Sequence, residues 1–209
     1  MFCAASCGRI SNLVTKTESN SNDGSTSGNN PVTASANPRD DVIRASKKFT
    51  EQNSFQATMD GKGSKDMHIE LGYIAPDRYH IKNAPAMESI IIGKDTYLKI
   101  GGAWKKFSAN LSESIPKMRD AFTEEGMKSL GEVEYVGEDA VNGKSALLYR
   151  YQGSAIKDGA SYTSKLWVGK DSGLPLKIEV EYPAGGALKQ MTTTYDYDAK
   201  VAIESPTVN

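Results

Sequence analysis

The chain has 209 residues, with 25 Lys+Arg against 26 Asp+Glu and a formal charge of −1. That balance argues against a protein whose main partner is nucleic acid, because such domains carry a basic excess. Counted with glycine and without tyrosine, the apolar share is roughly 42%, slightly below ordinary globular usage, which fits one domain plus a polar segment that does not fold. No stretch approaches the ~18 consecutive apolar residues of a membrane-spanning helix. Two histidines, His68 and His80, and two cysteines, Cys3 and Cys7, leave little from which to assemble a zinc cluster or a Cys/His nucleophile pair.

The chain opens Met1-Phe2-Cys3-Ala4-Ala5-Ser6-Cys7-Gly8. Ala4-Ala5-Ser6-Cys7 resembles a bacterial lipobox, in which the cysteine becomes the first mature residue and is acylated. The 7–15-residue apolar stretch of a secretory signal does not precede it, and residues 1–7 are taken as the remnant of such a signal, with Cys7 the expected lipidation site. Chance is the bland alternative for four small residues before a cysteine. From Thr15 to Asn37, 16 of 23 residues are Ser, Thr, Asn or Gly, a composition that cannot offset the entropy of ordering by burial. Residues 8–37 therefore read as a flexible tether, on the order of 30 Å end to end by random-coil scaling. A single acyl chain anchors only weakly, so more than one is implied.

The folded part is expected over residues 38–209. Asn37-Pro38-Arg39-Asp40-Asp41 combines a capping amide, proline at the first helical position and acids in the first turn. Val42, Ala45 and Phe49 recur at helical spacing, predicting one short amphipathic helix. The period then changes to two. Phe55–Met59 and Met67–Tyr73 alternate apolar and polar residues, with Asp60-Gly61-Lys62-Gly63 between them as hairpin chemistry. Further strands are predicted at 78–82, 89–92, 96–100 and 104–107. Leu111, Ile115, Met118 and Phe122 fall on one helical stripe that Gly126 or Gly131 could end. Strands resume at 133–136, 146–151, 162–168, 176–182, 188–197 and, more weakly, 201–203. The order is that of an α+β domain with a large antiparallel sheet, and a sheet of ten or more strands must curl.

Val136-Gly137-Glu138-Asp139-Ala140-Val141-Asn142-Gly143-Lys144 and Leu166-Trp167-Val168-Gly169-Lys170-Asp171-Ser172-Gly173-Leu174-Pro175-Leu176-Lys177 resemble the back half of LolA/LolB-like and RseB-like envelope proteins. Tyr73-Ile74-Ala75-Pro76-Asp77-Arg78-Tyr79 is similar to their earlier strand-Pro-aromatic corner. The resemblance, over about residues 40–203, implies an unclosed eleven-stranded half-barrel whose helices lid an apolar cavity that holds acyl chains or senses envelope partners. No position matches the arginine by which those carriers tie lid to barrel, so no functional residue is carried over.

Candidate sites weigh as follows. His68 and His80 alternate with the apolar residues of their strands and are expected to face solvent. Asp40-Asp41 and Glu124-Glu125 read as first-turn and solvated-face charges. Asp196-Tyr197-Asp198 lacks the acid density of a calcium loop, and no metal or cofactor is expected. Lys94, Lys99, Lys105 and Lys106 with Tyr97 and Trp104 form the one basic-aromatic cluster. It would meet an anionic surface or, as the commoner case, guard a sheet edge. Met59, Met67, Met118, Met127 and Met191 fall largely on apolar faces, suited to core or to varied acyl ligands. If a cavity exists, its expected lining is Phe55, Met67, Ile69, Tyr79, Ile81, Met118 and Phe122. The expectation is a non-catalytic, lipid-anchored bacterial envelope protein. Its partners would be the membrane and a lipid or lipoprotein acyl chain, with no nucleic acid. The alternative is a protein-binding or stress-sensing module whose cavity its own side chains fill.

Overall fold

The structure, a computed structural model, describes residues 31–83, 87–107, 122–128, 130–154 and 161–208. Helix α1 (Pro38–Thr50) starts as the sequence dictates: the Asn37 side chain accepts from the Arg39 N–H at 3.2 Å, with Pro38 in the first turn. Its Val42, Ala45 and Phe49 are buried on one stripe.

Eleven strands follow, all antiparallel to their neighbours. They are β1 (Ser54–Gly63), β2 (Met67–Ile74), β3 (Arg78–Asn83), β4 (Met87–Ile92), β5 (Asp95–Ile100), β6 (Ala103–Phe107), β7 (Val133–Val141), β8 (Lys144–Ser154), β9 (Ser161–Gly169), β10 (Pro175–Glu181) and β11 (Leu188–Asp196). The short helix α2 (Glu124–Lys128) lies between β6 and β7. The sheet order is β6-β5-β4-β3-β2-β1-β11-β10-β9-β8-β7, so two meanders join where β1 pairs with β11, and β6 and β7 remain as edges. This is the unclosed sheet that the resemblance implies.

Two core clusters share the concave side with α1. Val42 and Ala45 join Met127, Leu130, Leu147, Tyr149, Tyr151, Leu166 and Val168. Phe49 joins Phe55, Ala57, Leu71, Tyr73, Phe122 and Tyr195. Phe49 is the hub of an aromatic group, 4.6 Å from Phe122, 5.2 Å from Phe55 and 5.1 Å from Tyr195 between ring centroids. Arg39 donates from its guanidinium to Leu130 O at 2.7 Å, Gly131 O at 3.1 Å and Met127 O at 3.2 Å, tying α1 to the carbonyls around the end of α2. Such carbonyls have no helical partner and carry the negative end of the helix dipole.

Three local expectations are revised. Asp60–Gly63 is not the turn. β1 runs through it, and the turn is Ser64–Asp66. The glycines serve close approach instead, since a Cβ at Gly63 would sit 2.0 Å from Ala187 O and one at Gly61 would sit 2.5 Å from Met67 Cγ. Residues 201–203 form no strand, although Ile203 is buried against Ile90 and Tyr97 on the convex face. α2 continues past Gly126 to Lys128, with the Gly126 N–H bonded to Thr123 Oγ1 at 3.3 Å. Asp41 lies in the first turn of α1 as expected, and it is buried there. Within the expected tether, Val32 and Ala34 pack against the first core cluster, and the Val32 N–H donates to Lys170 O at 2.6 Å. Cys7, Leu111, Ile115 and Met118 lie outside the described residues.

Candidate functional site: the concave face

Residues opposite one another in an antiparallel ladder share a face, so the register lays out the concave surface in rows. One row reads Phe55, Tyr73, Tyr79, Ile91, Thr96, Phe107. The next reads Tyr195, Ala57, Leu71, Ile81, Ser89, Leu98, Lys105. A third reads Ile178, Thr193, Met59, Ile69, Asn83, Met87. The last reads Val180, Met191, Gly61, Met67. Gly61 leaves a gap in this row that Met67 and Leu188 fill.

The surface is not filled evenly. α1 and Phe122 cover its middle, where Phe55, Tyr73 and Tyr195 are buried. Tyr79 and Ile81 pack against that cluster while half-exposed. Met67 and Ile69 are half-exposed further along β2. Toward the β6 edge Ser89, Ile91 and Thr96 are buried, whereas Met87 and Ile100 are each 48% exposed and Phe107 36%. Of the predicted lining, Phe55, Tyr79, Ile81 and Phe122 thus come together in one cluster, and Met67 and Ile69 extend the same face. Met87, Leu98, Ile100 and Phe107 were absent from that lining. Alternation within β4, β5 and β6 was the signal that could have placed them there.

The convex face has a different chemistry. Glu88 bonds both Lys99 Nζ at 2.8 Å and His80 Nε2 at 2.9 Å. The Lys99 hydrogen bond, with help from His80 and against the opposing effect of burial, holds the Glu88 carboxyl below its ordinary range. Lys106 pairs with Asp95 at 2.8 Å and lies over the Tyr97 ring at 5.8 Å. His68 is exposed and bonds Asp60 at 2.7 Å. Two of the basic-aromatic lysines are therefore neutralised by neighbours, and Lys105 and Lys106 sit on the edge strand β6. A recess of about 140 Å³ here is lined by Gln56, Glu70, His80, Lys82 and the segment 200–202. Such groups suit water better than an alkyl chain. Among the described residues no three His, Cys, Asp or Glu side chains are grouped as a metal site would need, and no helix is long and apolar enough to cross a membrane.

An unclosed antiparallel half-barrel with helices on its concave side is a recognisable class of fold. The solved structures agree. LppX, a lipoprotein of Mycobacterium tuberculosis, superposes with a TM-score of 0.61 at 11% identity over 79% of this chain and 97% of its own. LprF of Mycobacterium bovis gives 0.63 at 12% identity over 81% and 96%. MucB gives 0.54 at 20% identity over 83% of this chain and 64% of its own, so the chain spans less than two thirds of MucB. At these identities the likeness is one of fold. The resemblance to LolA/LolB-like and RseB-like proteins read from the turn segments holds at that level. No protein-family model matches the chain, and no curated protein matches it in sequence.

Proposed function

We propose that the chain is a non-catalytic, lipid-anchored protein of the bacterial cell envelope that holds a hydrophobic ligand, a lipid or a lipoprotein's acyl chain, on its concave face for carriage or transfer. The observation that supports this most directly is the strip of apolar side chains on β2–β6 that stays open beside the buried Leu71, Tyr73, Ile91 and Thr96. There Met67, Ile69, Ile81 and Leu98 are only half-buried, and Met87, Ile100 and Phe107 are exposed. Covering such a surface with an alkyl chain is worth about 0.8 kcal/mol per buried CH₂, and flexible methionines adapt to chains of different shape. Acylation at Cys7, with residues 8–30 as tether, would hold the half-barrel at a membrane surface.

One observation favours the second reading, a protein-binding or sensing module. The middle of the concavity is already filled by Phe49, Phe55, Phe122 and Tyr195. The two readings separate by native mass spectrometry of the full chain purified from a bacterial host, followed by lipid extraction. A stoichiometric lipid supports the carrier. A mass that stays free of ligand after incubation with fatty acids and phospholipids overturns it in favour of the module.

A further inference from the structure

We infer that the ligand is an anionic amphiphile whose carboxylate or phosphate is held by the Lys105 ammonium at the β6 edge while its alkyl chain crosses the concave face. This rests on the hydrophobic-ligand reading above. Across β1–β6 the register makes every concave position uncharged except Lys105, which lies opposite Leu98 and one pleat from Ala103 and from the exposed Phe107. The remaining basic residues of these strands, Lys62, Arg78, Lys82, Lys99 and Lys106, occupy convex positions. Four of them are paired with Asp66, Glu70, Glu88 and Asp95 in turn. Lys105 has no ion-pair partner among the described residues. A lone ammonium on an apolar surface lays its methylene stem along that surface and keeps its charge for an incoming anion. The attraction there is screened less than in bulk water.

The dimensions suit an acyl chain. A chain in a bilayer leaflet spans about half of the ~30 Å hydrocarbon core, or about 15 Å. Three strand spacings of about 4.8 Å carry it from β6 to β3. On that course it meets Leu98, Met87 and Ile81, with Ile69 and Met67 just beyond on β2. Ser89, in the row of Lys105, is buried, so the open course passes through Met87, with uncharged Asn83 in the row of Ile69 and Met87.

An inward charge on an edge strand also blocks sheet-to-sheet aggregation, so the test must separate anchor from guard. Full-length protein is titrated with cis-parinaric acid and with its methyl ester, followed by probe fluorescence. The acid should bind on the order of fivefold more tightly than the neutral ester. Lys105→Met should remove that preference without changing ester affinity, whereas Lys105→Arg and the convex control Lys106→Met keep it. Competition by oleate or by dioctanoyl-phosphatidylglycerol then identifies carboxylate or phosphate as the preferred headgroup. Equal binding of acid and ester by the native chain, or an unchanged preference in Lys105→Met, overturns the anchor and leaves Lys105 an edge guard on a hydrophobic-ligand protein. Binding of neither probe overturns the ligand reading itself.

Discussion

Tyr149, in the middle of β8, donates its phenolic hydrogen to Asp41 Oδ2 at 2.9 Å, fastening the sheet to the first turn of α1. The same oxygen accepts the Ser35 N–H at 2.9 Å, and Arg44 pairs with Oδ1. Burial opposes ionisation of Asp41, but the Ser35 N–H, Tyr149 and Arg44 outweigh it and hold its carboxyl below the ordinary range. Tyr149→Phe should therefore cost about 1.5–3 kcal/mol, the worth of a hydrogen bond to a charged group, read by urea denaturation at pH 7. The pH dependence has a definite sign. A folded-state pKa below the unfolded one stabilises above about pH 4, and that contribution fades as pH falls through the folded value. The acid limb of the stability profile should be shallower in Asp41→Asn, and an unchanged limb would count against this assignment.

Glycines inside β1 make a second test, because the two meet different neighbours. A Cβ at Gly63 collides with the backbone oxygen of Ala187, which accepts the Ser64 N–H at 2.8 Å, whereas at Gly61 it meets the flexible side chain of Met67. Gly63→Ala should lower the thermal midpoint by several degrees, about 4–8 °C for each kcal/mol in a small domain and somewhat less for a chain of this size. Gly61→Ala should lower it less. The reverse order would mean that these glycines serve the backbone path rather than the packing.

These glycines also mark where the sequence was legible and where it was not. Alternation located β1 and β2, and short runs bounded by turn residues located the other nine strands, several of which bury consecutive residues on both faces; the helix signals of Asn37 and Pro38 placed α1. Asp60-Gly61-Lys62-Gly63 misled because turn chemistry and close approach both select glycine, and only the partner strand distinguishes them. The burial of Asp41 left no local trace because its partner Tyr149 lies 108 residues away. Periodicity gathered Phe55, Met67, Ile69, Tyr79 and Ile81 on one face, yet it could not say that α1 would bury Phe55 and leave Met67 open. That division depends on where a helix docks on a curved sheet.

The C-terminal segment supplies a third test. Its Ile203, 3% exposed, covers Ile90 and Tyr97, and Ile203 O accepts from Arg78 at 3.0 Å. Val201 Cγ1 comes within 3.2 Å of where a Cβ would stand at Gly72. Ile203→Ala should cost about 2 kcal/mol, the low end for a buried aliphatic truncation because a segment outside the sheet ladder can settle into the space. Deleting residues 201–209 should add self-association measurable by sedimentation, since it bares an apolar strip on the convex face. A truncated chain as stable and monomeric as the native one would show that the segment is not a structural strap.

Trp167 gives an optical reading of one electrostatic contact. Its indole N–H donates to Asp139 Oδ2 at 2.7 Å, and Lys177 Nζ stands 4.3 Å from its ring. The Trp167 bond, with the Ala140 N–H, holds the Asp139 carboxyl below its ordinary range. Tryptophan emission should therefore change in a step below about pH 3.9, the ordinary aspartate value, before global acid unfolding. Asp139→Ala should abolish the step while leaving Trp104 as a constant background. A step that survives the substitution belongs to another group.

The concave face is tested most directly within β2, whose alternation puts Ile69 on the concave side and Glu70 on the convex side one residue later. Ile69 is half-exposed, so Ile69→Asp leaves its carboxylate room to reach water and should change the thermal midpoint little. A bound alkyl chain, however, would have to cover that charge without pairing it, and burying an unpaired carboxylate is far costlier than losing a few methylene contacts. Lipid co-purifying with Ile69→Asp should fall by about tenfold or more, the effect of some 1.4 kcal/mol or above. Glu70→Gln, its neighbour on the other face, should leave the lipid content unchanged. Equal loss in both variants would point to a general effect on the strand, and full retention in Ile69→Asp would remove this part of β2 from the ligand's path.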